Sequence, residues 1–136
     1  MKKRLALCAL LCLAFVSVEG QTPIDVCGLL KSAKLHEGKT VTATGFVFAD
    51  RHSTGIGGEG CSGGIVIRYD SGRVPRDFVD GVEAKRGRFD SRPFNVTVEG
   101  KFSSHVRGPL GYLRRIEVTK VLHWEFVDAA PASHNP

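Results

Sequence analysis

The sequence predicts a small, mainly β domain, either a β-barrel or an α+β fold with a minor helical share. Three observations point there. Four segments are rich in β-branched and aromatic residues and are separated by turn-forming stretches. Helical periodicity is confined to a short N-terminal stretch and one weaker stretch mid-chain. Taking a 20-residue leader from the 136 residues leaves 116, enough for one domain that buries roughly 65% of its unfolded surface.

The leader comes first. Lys2, Lys3 and Arg4 precede an apolar run from Leu5 to Val18, and Val18 and Gly20 occupy −3 and −1 of a cleavage site before Gln21. That is the layout of a secretory signal peptide. The run is shorter than the roughly 20 residues a membrane anchor needs. Cys8 and Cys12 lie inside it rather than at its end, against a lipidated cysteine. No membrane anchor is therefore expected after cleavage, and the mature chain is expected in the periplasm or the medium. Removing Lys2, Lys3, Arg4 and Glu19 from 19 basic and 14 acidic residues leaves 16 and 13, a net charge of +3. That is too small to mark a nucleic-acid binder by itself.

Thr22 with Pro23 can open a short helix whose apolar face is Val26, Leu29, Leu30 and Ala33, ending near Lys34. "HEGKT" reads as a turn. Thr40–Phe48 is a strand. His52–Gly64 is a glycine-rich connection, followed by a strand at Gly64–Tyr69. Between Asp70 and Pro93 the pattern is weak. "RDFVDGVEAKR" can make a short helix with Phe78, Val79 and Val82 on one side, though Gly81 argues against it. Phe94–Phe102 is a third strand. Tyr112–Phe126 carries a fourth that can break in two near Val121. The domain thus spans 21–127. The tail 128–136 is small, polar and proline-punctuated, as disordered segments are.

Cys27 and Cys61 remain in the mature chain. In an oxidising compartment an even pair reads first as a disulfide, with two buried thiols as the alternative. The loop closed would be 35 residues, worth about 4 kcal/mol by loop-closure entropy.

Within the glycine stretch, Gly55, Gly57 and Gly60 match GxGxxG. A dinucleotide site also needs a helix directly after the glycines, whose N-terminus holds the pyrophosphate. Here a strand follows, so Asp77 and Asp80, near the distance of a ribose-binding acid, are coincidental. No Gly-Lys-Ser/Thr occurs, which excludes a P-loop. Cys61 has no adjacent base to activate it, since His52 is nine residues off across glycines. The stretch reads as a stapled turn.

The five histidines, at 36, 52, 105, 123 and 134, lack zinc-ligand spacing, and His36-Glu37 fails HExxH because Thr40 stands four beyond. No metal or cofactor is implied. Asp77, Asp80 and Glu83 at helical spacing read as a solvated face. The run Arg73–Arg92 interleaves cations with Phe78, Phe89 and Phe94, as single-strand binders do, but its acids dilute it to +2. The bland alternative is a mixed-charge excursion whose phenylalanines plug the barrel. Asn95-Val-Thr97 matches a glycosylation acceptor but lies within a predicted strand.

"DVCGLLKSAKLHEGKTVTATGFV" resembles the opening of a group of small exported bacterial proteins with an OB-like barrel. The features shared are Cys27, Leu29, Leu30, Gly38, Lys39, Val41 and Gly45, then Cys61 before a strand. "VTVEGKF" with "GPLGYLRRIEVTKV" resembles that group's final hairpin. The resemblance covers most of 24–122. It implies an OB-like five-stranded barrel with a short N-terminal helix, and no catalytic residues. Such barrels bind oligonucleotides or oligosaccharides on one strand face and adjoining loops. The expected function is therefore an exported binding or interaction module of unknown ligand. Its ligand-binding candidates are Arg68, Tyr69, Arg73, Arg114 and Arg115, with an anionic oligomer or a protein as partner. The alternatives are a structural, partner-binding envelope protein and a hydrolase using His52 or His105 with a carboxylate.

Overall fold

The computed structural model describes residues 20–109 and 111–128, with the side chain of Tyr112 excepted. The leader up to residue 19 and the tail beyond 128 lie outside the described residues. In chain order the elements are β1 (Ile24–Asp25), α1 (Val26–Lys31), α2 (Ala33–His36), β2 (Thr40–Ala49), β3 (Thr54–Gly57), β4 (Gly64–Arg68), α3 (Arg76–Arg86), β5 (Phe94–Gly108) and β6 (Gly111–Phe126).

The strands run β1-β2-β3-β4-β6-β5, and β2 also pairs with β5. That last pairing closes β2 through β6 into a five-stranded barrel. All pairs within it are antiparallel except β4–β6, which is parallel and is bridged by α3 and β5. The expected OB-like, mainly β barrel with a short N-terminal helix is what the chain adopts.

Alternation along each strand fills the interior. Val41, Ala43 and Val47 point in from β2, Ile56 from β3, and Ile65 and Ile67 from β4. Val96, Val98, Phe102 and Ile116 come from the closing hairpin. α3 stops one end of the barrel with Phe78 and Val82, both fully buried. A chain of rings crosses that end, Tyr69–Phe78–Phe94–Phe126, with centroids 5.3, 6.0 and 4.6 Å apart. Gly81, the residue that argued against α3, is where Phe94 lies on the helix. A Cβ there would meet the ring at 2.7 Å.

Several local expectations are corrected. Asp25 caps α1 in place of Thr22, accepting the Gly28 N–H at 3.0 Å, because Ile24–Asp25 first pairs in parallel with β2. The glycine stretch contains a strand, β3, that composition concealed. Phe48 and Phe46 stand across from Gly55 and Gly57, and their rings cover the backbone that glycine leaves bare. β6 does not break near Val121. It bulges instead, since Thr97 faces His123 while Val98 faces Val121, leaving Leu122 unpaired. β5 runs to Gly108 rather than ending at Phe102, forming an arm with β6.

Two features hold the frame. Gly45 lies where β2 passes against Gly57 and Val26. Cys27 and Cys61 are bonded, with Cα atoms 5.7 Å apart, fixing α1 to the turn after β3. The helix α3 closes in a Schellman motif. Phe89 N–H donates to Ala84 O and Arg88 N–H to Lys85 O. The residue in the left-handed position is Arg88, at φ 58°, where glycine is usual.

Candidate functional site

The β2–β3 turn, the C-terminal end of β4, the face of α3 and the β5–β6 arm surround a groove of about 610 Å³. The turn contributes His52, Ser53 and Thr54. Asp50 sets its shape by accepting the N–H groups of His52 and Ser53, both at 2.7 Å. Those same bonds hold the Asp50 carboxyl below its ordinary pKa. Val66 and Arg68 come from β4, Tyr69 from the residue just after it, and Val79, Glu83 and Arg86 from α3. The arm adds Val106, Arg107, Leu113 and Arg115.

Arg86 is held in place. It donates to Thr54 Oγ1 at 2.9 Å and to Glu83 at 3.0 Å. Tyr69 packs edge-on against Phe78, and burial pushes its phenol above the usual value, with Arg86 opposing. Arg115 Nε is sealed from solvent. It stands 2.8 Å from Glu117 Oε1, close enough for an ion pair, but the N–H is not aligned for a hydrogen bond. The distance gives the Coulombic attraction, and the alignment leaves a donor unsatisfied.

Two further depressions extend the groove. One, of about 660 Å³, shares His52 and Arg86 with it and adds Arg51 and Arg88. The other, of about 460 Å³, shares Arg68 and Tyr69 and adds Arg73, Asp70 and Glu117. The result is a continuous cationic band. Arg73 is paired with Asp70. Among the described residues, Arg51, Arg68, Arg88 and Arg107 make no ion pair.

Of the five residues singled out from sequence, Arg68, Tyr69 and Arg115 converge on the groove, and Arg73 lies at one end of the band. Arg114 does not join them. It lines a separate depression with Lys31, Lys34 and His105. Successive strand residues face opposite ways, so the adjacent pair Arg114 and Arg115 was bound to divide. Arg86 and Arg88 belong to the mid-chain basic run, and Arg51 and Arg107 were not singled out; only the closed barrel gathers the four on this band.

The mid-chain run of cations and phenylalanines is not a strip of free charge. Arg76 pairs with Asp80, Arg86 with Glu83, and Arg92 with Asp90 and Asp128. Phe78 and Phe94 are core, whereas Phe89 is 88% exposed. Arg92 also stands 4.8 Å over the Phe126 ring.

His105 approaches a carboxylate through a hydroxyl. Its Nδ1 lies 2.7 Å from Ser104 Oγ, and Ser104 donates both its hydroxyl and its N–H to Glu37. These bonds keep the Glu37 carboxyl below its ordinary value. With its one proton directed to Glu37, Ser104 Oγ accepts from Nδ1–H. A nucleophile needs the opposite, a histidine that takes the hydroxyl proton. The cluster ties the base of the arm to the end of α2. Among the described residues no group of three potential metal ligands occurs, and no helix is long and apolar enough to cross a membrane.

No protein-family model matches the chain, and no curated protein matches it.

Proposed function

We propose that the mature chain is an exported binding module whose arginine band takes an anionic oligomer. The observation that carries the reading is the convergence of Arg68, Arg86, Arg107 and Arg115 on one groove with an apolar floor of Val66, Val79 and Leu113. A small number of placed charges over an apolar lining is how binding grooves fix orientation and exclude water. Three joined depressions suit an extended ligand better than a single small ion. The Cys27–Cys61 bond fits an oxidising compartment, in keeping with a cleaved leader.

The test uses oxidised 21–136 titrated with a labelled twelve-residue oligothymidylate and with hexagalacturonate, at low and high salt. Trp124 packs against the core opposite Val96, so the label reports better than tryptophan fluorescence. Saturable binding that weakens with salt is expected, with Arg68→Ala and Arg107→Ala each lowering the salt slope by about 1. Arg114→Ala should leave binding unchanged. Binding that ignores salt, or that Arg114→Ala weakens as much as Arg68→Ala does, would overturn the assignment.

A further inference from the structure

We infer that the outer face of β2 and β3 stacks sugar rings, and that the oligomer held by the arginine band is an acidic polysaccharide. The second half rests on the band being a binding surface; the first does not.

Phe46 and Phe48 alternate onto the outer face of the barrel. Their cross-strand partners are Gly57 and Gly55. A Cβ on Gly57 would lie 2.7 Å from Phe46 Cζ, one on Gly55 2.3 Å from Phe48 Cζ, and one on Gly64 2.7 Å from Phe48 Cε1. Each ring therefore lies down on glycine backbone. Phe46 is 37% exposed and Phe48 39%, as expected when one face is covered and the other is wet. Two residues apart on one strand, their Cα atoms are about 7 Å apart. Three glycines in strand pairing cost stability; what they make room for is two rings laid against the sheet.

The chemistry around the rings selects the occupant. Asp25, Thr44, Glu59 and Asn95 border Phe46 in a depression of about 340 Å³. Asp25 uses Oδ1 to cap α1, leaving Oδ2 to accept. The side-chain amide of Asn95 makes no hydrogen bond to the described residues, so it offers both donors and acceptors. Two carboxylates accept from hydroxyls and repel any anion placed beside Phe46, so this end takes a neutral sugar face and the ligand's charges fall toward the arginines, which a nucleotide charged at every unit cannot arrange. A pyranose presents C–H bonds on its flat face, matching the negative face of an aromatic ring, and hydroxyls at its rim. That combination is a sugar rather than a nucleobase.

Across the sheet, Phe48, Gly55, Val66 and Arg115 form one row of paired residues. The rings thus lead directly into the cationic band. A glycan chain that runs along β2 from Phe46 to Phe48 and then turns along this row would place sugar faces on the two rings and carboxylates on Arg115 and Arg68.

Three probes are titrated into oxidised 21–136: neutral cellohexaose, hexagalacturonate and a twelve-residue oligothymidylate. The variants are Phe46→Leu, which keeps an apolar cover over Gly57 but removes the ring, Asn95→Ala, and the double variant Arg68→Ala with Arg107→Ala. Thermal melts establish that each is folded. Phe46→Leu is expected to weaken both sugar probes roughly tenfold, with Asn95→Ala acting the same way. Of the two sugars, the arginine double variant should weaken hexagalacturonate alone. Amide shifts on cellohexaose addition should centre on Gly57 and Asn95. If neither sugar binds, if Phe46→Leu changes nothing, or if oligothymidylate is the probe that needs Phe46, the stacking assignment is wrong. If both sugars bind alike, need Phe46 and ignore the arginines, the stacking face stands and the band reading falls.

Discussion

Gly45 is where one added methyl group should do most damage. An alanine Cβ there would stand 2.4 Å from the carbonyl oxygen of Gly57 and 2.9 Å from Val26 Cγ2. Neither neighbour is free to yield. Gly57 is on β3, paired with Phe46, and Val26 is fully buried. The carbonyl would have to retreat by about 1 Å to reach ordinary contact. That retreat weakens about two ladder hydrogen bonds, near 1 kcal/mol each, and overpacks Val26 by about 1–3 kcal/mol, for a sum of about 3–5 kcal/mol. At about 4 °C per kcal/mol for a domain of this size, Tm should fall by about 12–20 °C. Gly55→Ala is the control. It meets only the far end of the Phe48 ring, which is exposed enough to swing aside, and should cost about 1 kcal/mol or less. Denaturant unfolding of the oxidised chain, followed by far-ultraviolet circular dichroism, measures both. Equal losses for the two variants, or a Gly45→Ala loss under about 1 kcal/mol, would refute the close-approach account.

Reducing the Cys27–Cys61 bond, which spans a sequence separation of 34, should cost about 4 kcal/mol of stability, read as a drop in denaturation midpoint on adding reductant. Arg88→Gly should stabilise by about 0.5–1 kcal/mol, because Arg88 holds the left-handed position of the α3 cap; a loss of stability would mean that the Arg88 side chain contributes more than its backbone costs. The hydrogen bonds and charge of Arg92, helped by Lys85, lower Asp90 to about 2. Because this folded value lies below the unfolded one of about 3.9, the stabilisation is complete above that pH and fades as pH falls toward 2. The Asp90 carboxyl carbon should titrate near 2 by NMR. A midpoint near 3.9 would show that the Arg92 contact does not persist in solution.

The barrel was legible because its strands alternate. Val41, Ala43 and Val47, or Val96 and Val98, announce an inward face in any reading of period two. The short N-terminal helix and the staple were equally plain. β3 was hidden because glycine carries no strand preference, and its stability comes from Phe46 and Phe48 on another strand. The capping of α1 by Asp25 depends on the pairing of β1 with β2, contacts 19 residues apart in register. The groove was half legible. Arg68, Tyr69 and Arg115 lie close to or within strands that sequence could place, but Arg51, Arg86, Arg88 and Arg107 come from a turn, a helix, its cap and an arm. No local pattern brings those four elements together; closure of β2 on β5 does.

The arm has a consequence for how tightly any ligand is held. Beyond the bulge at Ser104, Val106–Gly108 and Gly111–Leu113 pair only with each other among the described residues. An isolated two-stranded ribbon is marginally stable. Yet this ribbon supplies Val106, Arg107 and Leu113 to the groove. One wall of the groove thus belongs to the closed barrel and the other to a strip held only by its own pairing. Apparent Kd scales inversely with the fraction of molecules in which the strip is closed, so an arm closed in about one molecule in ten binds about tenfold weaker than the closed form alone. Bracing the ribbon against α2, where Glu37 already grips Ser104, would therefore tighten binding without adding a single contact to the ligand.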